Sequence, residues 1–212
     1  MAKITGNEAL DQIPAKVLQM YRAVVQLIVE GAEPAKLRVS TITEAAEIGK
    51  GTAYEYFDSK EEIVVCAVLH QMQTMMAALE KELLRRKSFH EQLKFLLDEI
   101  STQKEQNNCF FRLVHIMTGN SELSRQIRQR LESDAFRQYS PVQMFRKVLG
   151  EAIERGELRK DIPLDYMVYT LGARVLAYMV AVSLGGIEMT FSQMRELVYQ
   201  GILDELCVGS EK

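Results

Sequence analysis

Between Thr41 and Ile63 the sequence reads TITEAAEIGKGTAYEYFDSKEEI, which brings Thr41, Lys50, Thr52, Tyr54, Tyr56 and Lys60 within a few turns of chain. Neither histidine nor cysteine occurs in the stretch, so it offers no imidazole and no thiol. Hydroxyls, phenols and ammonium groups instead donate hydrogen bonds and offset negative charge. From the first turn of a short helix, Lys50 and Thr52 can meet phosphate oxygens or base edges, and Lys50 can bind guanine O6 and N7. The chemistry on offer is recognition.

Such side chains need elements to hold them. Thr41 with Glu44 has the spacing of a capping box and predicts a helix start, with Ile42, Ala45 and Ala46 as its apolar face. Gly49 and Gly51 mark a turn, and Thr52 to Phe57 predicts a second, very short helix ending in an aromatic group. Asp58 and Ser59 break it, and Ser59 with Glu62 opens a long third helix. Two short helices joined by a tight turn are the geometry of a helix-turn-helix, whose second helix lies in the DNA major groove.

The stretch resembles the signature of the TetR family of transcriptional regulators, roughly I-A-x-x-A-G-V-S-x-G-T-L-Y-x-Y-F-x-S-K-E-E-L. The matching residues are Ile42, Ala46, Ile48, Gly51, Thr52, Tyr54, Tyr56, Phe57 and the run Ser59, Lys60, Glu61, Glu62, Ile63. Thr43, Glu47 and Gly49 depart from it; Glu47 stands where the family has its turn glycine, and Gly49 where it has a capping serine. The resemblance implies a homodimeric repressor that a small molecule releases from a palindromic operator. It also implies DNA-binding roles for Thr41, Lys50, Gly51, Thr52, Tyr54, Tyr56 and Lys60, with Tyr54, Tyr56 and Lys60 on phosphates and Phe57 in the core.

Charge works against that reading. The net charge is −3, and the first sixty residues carry seven basic side chains against eight acidic ones. Any basic footprint must come from placement, with Lys36, Arg38, Lys50 and Lys60 around the reading head and some acids facing away. Few phosphates are then neutralised, and the salt dependence of binding is modest.

The remaining chain reads as helix throughout, giving an all-α fold with a DNA-binding domain over 1–60 and an effector-binding and dimerisation domain over 61–212. Thr5 with Glu8 marks a short leading arm or helix. Val17 to Ile28 recur at helical spacing up to Gly31. Ser88, Ser121 and Ser140 with Pro141 each start a helix; the one from Ser121 is expected to run through Phe136. Helices over 163–184, ended by Gly185-Gly186, and over 190–206 carry apolar faces too broad for one partner. They fit an intramolecular core or a two-fold four-helix interface, and the resemblance implies the latter. It also implies an effector pocket in the middle helices, with candidates Phe110, Phe111, Arg112, His115, Met117, Met144, Arg174 and Tyr178. Arg174, set among Leu171, Val175 and Leu176, needs a partner: an anionic ligand or a glutamate.

At 212 residues, 47% hydrophobic and 26% charged, the composition is that of a globular protein. No uninterrupted apolar run of spanning length and no signal core is read, which places the chain in the cytoplasm, away from membranes. Cys66, Cys109 and Cys207 are odd in number and scattered, and His70, His90 and His115 lack ligand spacing, so neither a disulfide framework nor a metal or other cofactor is expected. No Ser-His-Asp set or phosphate loop supports an enzyme. The alternative is a helical interaction or ligand-binding protein whose head no longer binds DNA.

Overall fold

The computed structural model describes residues 3, 4, 6, 8, 10, 12–105, 109–184 and 188–208. Within them lie eleven α-helices: α1 (Ala15–Val29), α2 (Val39–Ala45), α3 (Lys50–Tyr56), α4 (Lys60–Leu84), α5 (Phe89–Glu105), α6 (Cys109–Thr118), α7 (Glu122–Leu131), α8 (Asp134–Arg137), α9 (Pro141–Glu154), α10 (Leu164–Leu184) and α11 (Phe191–Leu206). No strand occurs among the described residues, so the all-α expectation holds. Thr5 and Gly185-Gly186, read above as a cap and a helix stop, lie outside them.

The chain divides into two compact units, residues 1–75 with 107–138, and 76–106 with 139–212. The division expected at residue 60 therefore falls within reach of α4, whose first sixteen residues belong to one unit and the rest to the other. In the first unit, α1 begins behind Pro14, whose carbonyl accepts the N–H groups of Val17 and Leu18. It buries Val17, Met20, Tyr21, Val24 and Ile28 against Ile42, Ala53, Tyr56, Phe57 and the Ile63–Leu69 turns of α4. By length and hydropathy α4 could cross a membrane, in contrast to the sequence reading, but the packing of Ile63–Leu69 in this core accounts for much of its apolarity.

The second unit packs α9, α10, α11 and α5 together. Its core holds Leu93, Leu97, Phe145, Leu149, Met167, Leu171 and Tyr178. Behind α9, Gly156 takes φ 76° and lets the Gly156 and Glu157 amides close on Ile153 and Ala152. The following residues pair with the chain end: Leu158 and Cys207 form an isolated antiparallel bridge, with Arg159 N–H to Leu206 O at 2.9 Å and Val208 N–H to Glu157 O at 3.1 Å. Glu157 also accepts the Phe89 N–H at 2.5 Å, satisfying a donor at the start of α5.

The serine starts are as expected. Ser59, Ser88, Ser121 and Ser140 each accept the N–H three residues on, at 3.1–3.3 Å. Thr190 makes a full capping box with Gln193. Two expectations fail. α2 already begins at Val39 behind an extended Arg38, so Thr41 lies inside the helix and caps nothing. The helix from Ser121 stops at Leu131, and Phe136 sits on the separate single turn α8 behind Ser133.

Candidate nucleic-acid interface

The turn between α2 and α3 is a Schellman motif built on a glutamate. Glu47 N–H reaches Glu44 O at 3.1 Å and Ile48 N–H reaches Thr43 O at 3.0 Å, closing α2, and this requires Glu47 at φ 55°. The same motif ends α1 at Gly31, φ 102°. A side chain at such an angle crowds its own backbone, so the departure from glycine at residue 47 is a local strain. Thr43, the other departure, is buried and donates its hydroxyl to Ser40 O at 3.1 Å, tightening the first turn of α2. Gly49 is extended at the N-cap of α3 and supplies no side-chain oxygen there.

α3 turns one face inward and the other to solvent. Ala53, Tyr56 and Phe57 are buried; Lys50, Gly51, Tyr54 and Glu55 are exposed, Tyr54 at 53%, and Thr52 is half-buried. Tyr56, expected on phosphate, is 5% exposed and packs in the head's core, so that role is corrected to packing. Lys60 is partly committed as well: its Nζ donates to Ala35 O at 2.6 Å, fixing the one-turn 3-10 helix Pro34–Lys36. Lys36 is exposed but paired with Glu33 at 2.5 Å. The exposed surface thus combines Arg38, Thr41, Lys50, Gly51 and Tyr54 with the acids Glu44, Glu47 and Glu55.

The residues read as an effector site divide between the units. Phe111, Arg112 and His115 lie on α6 in the first; Phe111 and Arg112 are half-buried and His115 is exposed. Arg112 keeps its Nε buried without an acceptor. The side chains of Phe110 and Met117 fall outside the described residues. In the second unit Met144 is core, and Tyr178 is fully buried with its hydroxyl 2.7 Å from Ser101 Oγ. Arg174 meets Glu205 at 2.5 Å, so the glutamate among its two expected partners is the one present.

Residues 25–65 match the family model described as bacterial regulatory proteins, tetR family. That match spans the end of α1, all of α2 and α3, and the start of α4. No curated protein matches it. Among solved structures, the fatty acid degradation regulator FadR from Bacillus halodurans has 19% identity and TM-score 0.66, over 92% of this chain and 97% of that one. FadR from Bacillus subtilis, in complex with stearoyl-CoA, has 18% identity and TM-score 0.63, over 88% and 97%. A transcriptional regulator from Saccharomonospora viridis, in complex with choline, has 16% identity and TM-score 0.65, over 91% and 98%. At these identities the likeness establishes the fold.

The protein also carries a cleft that the sequence did not reveal. Lys94 and Leu97 of α5 and Arg195, Glu196 and Tyr199 of α11 line about 180 Å³ in the second unit, with Arg195 paired to Asp98. Lys94 with Asp98 and Arg195 with Tyr199 each have ordinary surface-helix spacing, and only the pairing of α5 with α11 gathers them.

Proposed function

We propose that this protein is a transcriptional repressor that lays α3 into the major groove of a near-palindromic operator as a homodimer. The observation that supports it most is the two-sided character of α3: Ala53, Tyr56 and Phe57 anchor it in the head, while Lys50, Gly51 and Tyr54 are left on the solvent face beside Thr52. Lys50 and Thr52 then meet base edges or phosphate from the first turn, and Tyr54 reaches the phosphate backbone with Thr41. Lys60 contributes charge while its ammonium holds Ala35.

Dimerisation is supported by the apolar side chains left exposed on α10 and α11. Tyr166, Tyr169, Leu176 and Val180 recur along α10, and Phe191 and Leu197 along α11; Tyr169 is 68% and Leu197 61% exposed. A stripe of that extent is costly in water and fits a second copy about a two-fold axis. A small-molecule effector shifts α4, which both units share, and moves the two heads off the ~34–36 Å spacing of successive major grooves. Stearoyl-CoA and choline in the structural neighbours are too unlike to name this effector. On α6, the unpaired Arg112 Nε is suited to an anionic group.

Gel-shift titration against a duplex from the gene's own upstream region, at low salt, tests the proposal. Wild type binds, and Lys50→Ala and Tyr54→Ala bind several-fold more weakly. A wild type that binds no duplex favours instead a head that has lost DNA binding, a reading that the exposed Glu44, Glu47 and Glu55 support.

A further inference from the structure

We propose that the leading segment carrying Lys3, Ile4, Gly6 and Glu8 is a strap that fixes the C-terminal end of α3 and ties it to α7. α3 has seven residues, well below the ~12–15 at which a helix stands alone in water, so its orientation depends on what holds its ends. Its last carbonyls have no partner further along the helix. Ala53 O takes the Phe57 N–H at 3.0 Å. The leading segment takes two more and the carbonyl just beyond the helix: Lys3 Nζ donates to Tyr54 O at 2.7 Å and to Phe57 O at 3.3 Å, and Ile4 N–H donates to Tyr56 O at 2.9 Å. Lys3 also meets Asp58 at 2.9 Å, and its ammonium lies at the negative end of the helix dipole. Ile4 is buried in the head's core, so the strap is seated by packing as well as by polar contacts.

The other end of the strap is wedged. Gly6 takes φ 84°, and a Cβ on it would stand 3.0 Å from Cys66 Sγ on α4 and 3.3 Å from Arg130 Nη1 on α7. Arg130 Nη1 itself donates to Cys66 Sγ at 3.2 Å. Glu8 accepts the Gly6 N–H at 2.8 Å and holds the bend. A displacement of α7 therefore presses on Gly6, which stands two positions along the chain from Ile4, and Ile4's amide and Lys3's ammonium are bound to the carbonyls of α3. Lys3 and Ile4 are positioning residues for the reading helix, and the functional consequence rests on the DNA-binding role proposed above; the mechanical link does not.

Amide hydrogen exchange of the full chain, resolved at Ile4, Tyr56 and Phe57, tests the link without DNA. Lys3→Met is expected to raise exchange at these amides about tenfold, and Lys3→Arg to restore most of the protection. Arg130→Met, at the α7 end of the link, is expected to raise exchange at Ile4; if it does not fold, Gly6→Ala, which crowds the same point, serves in its place. Unchanged exchange in Lys3→Met overturns the anchoring, and unchanged exchange at Ile4 in the variant at the far end overturns the coupling to α7. In parallel, Lys3→Met is expected to bind the upstream duplex about tenfold more weakly than wild type at equal salt. Failure of the wild type to bind duplex overturns the DNA role, and the exchange result still decides the strap.

Discussion

Arg174 and Glu205 face each other across α10 and α11, guanidinium to carboxylate at 2.5 Å, with the Tyr166 hydroxyl donating to the other carboxylate oxygen at 2.9 Å. Gly201 makes the approach possible, because a Cβ there would collide with the guanidinium. The cation amid apolar residues is thereby satisfied within the second unit. Arg174→Met should lower stability by about 0.5–1 kcal/mol, since it leaves the part-exposed Glu205 with one protein donor and water. Glu205→Gln, which keeps the tyrosine bond, should cost less, and the double variant should cost less than the sum. Thermal melts of the four proteins check this. An Arg174→Met variant that melts like wild type but no longer responds to effector would return Arg174 to ligand binding.

Glu47→Gly should raise stability. The φ of 55° at this position costs a residue with a Cβ about 1 kcal/mol, and glycine removes the cost while losing some of it back to backbone entropy in the unfolded chain. A gain of roughly half of that corresponds to a melting shift of about 1–2 °C for a chain of this size. Because Glu47 is exposed beside the reading surface, its removal should also strengthen duplex binding at low salt. A lower melting temperature would mean the Glu47 side chain does something that its backbone angle hides.

Most helix starts were legible because a capping serine or threonine acts over three residues of chain, and Ser59, Ser88, Ser121, Ser140 and Thr190 needed no knowledge of the rest of the fold. Thr41 has the same local spacing and fails because the backbone is already helical at Val39, set by the extended Arg38 that follows the buried Leu37. Leu131 and Phe136 continue one stripe in sequence, which masked the break at Ser133. In the reading head the inward side of α3 was available from spacing: Ala53, Tyr56 and Phe57 stand at i, i+3, i+4, and Tyr54 is turned ~200° from Tyr56. Reading both tyrosines as phosphate contacts overlooked that period. The partner of Arg174 was beyond any local pattern, since Glu205 lies on the next helix of the pair.

His70 packs against the Tyr21 ring at 5.2 Å between centroids, and burial, with Arg22 nearby, holds its pKa below the ordinary 6.5. The unfolded chain therefore takes up a proton before the folded one does. Stability is unaffected well above pH 6.5 and declines as the pH falls through the window between the unfolded and folded values. His70→Gln should flatten this part of the profile, read as melting temperature from about pH 7.5 down to about pH 5. A wild-type profile that rises on acidification in that window would contradict the burial.

Leu197 stands 61% exposed on α11 near the half-buried Met194 and Val198, where it extends the exposed apolar stripe that a second copy would cover. In a two-fold interface each residue counts twice, so Leu197→Arg loses two apolar burials of about 1.5–3 kcal/mol each and places two cations where a dry contact is expected. The dissociation constant should rise at least about a hundredfold, taking a dimer at micromolar concentration to monomer in sedimentation equilibrium. Secondary structure and the melting of the first unit should be unaffected, because Leu197 belongs to the second. Wild type sedimenting as a monomer at that concentration would remove the two-fold arrangement and with it the paired spacing of the heads; a dimer that survives Leu197→Arg would move the interface off this part of α11 to the Tyr166–Val180 stripe of α10.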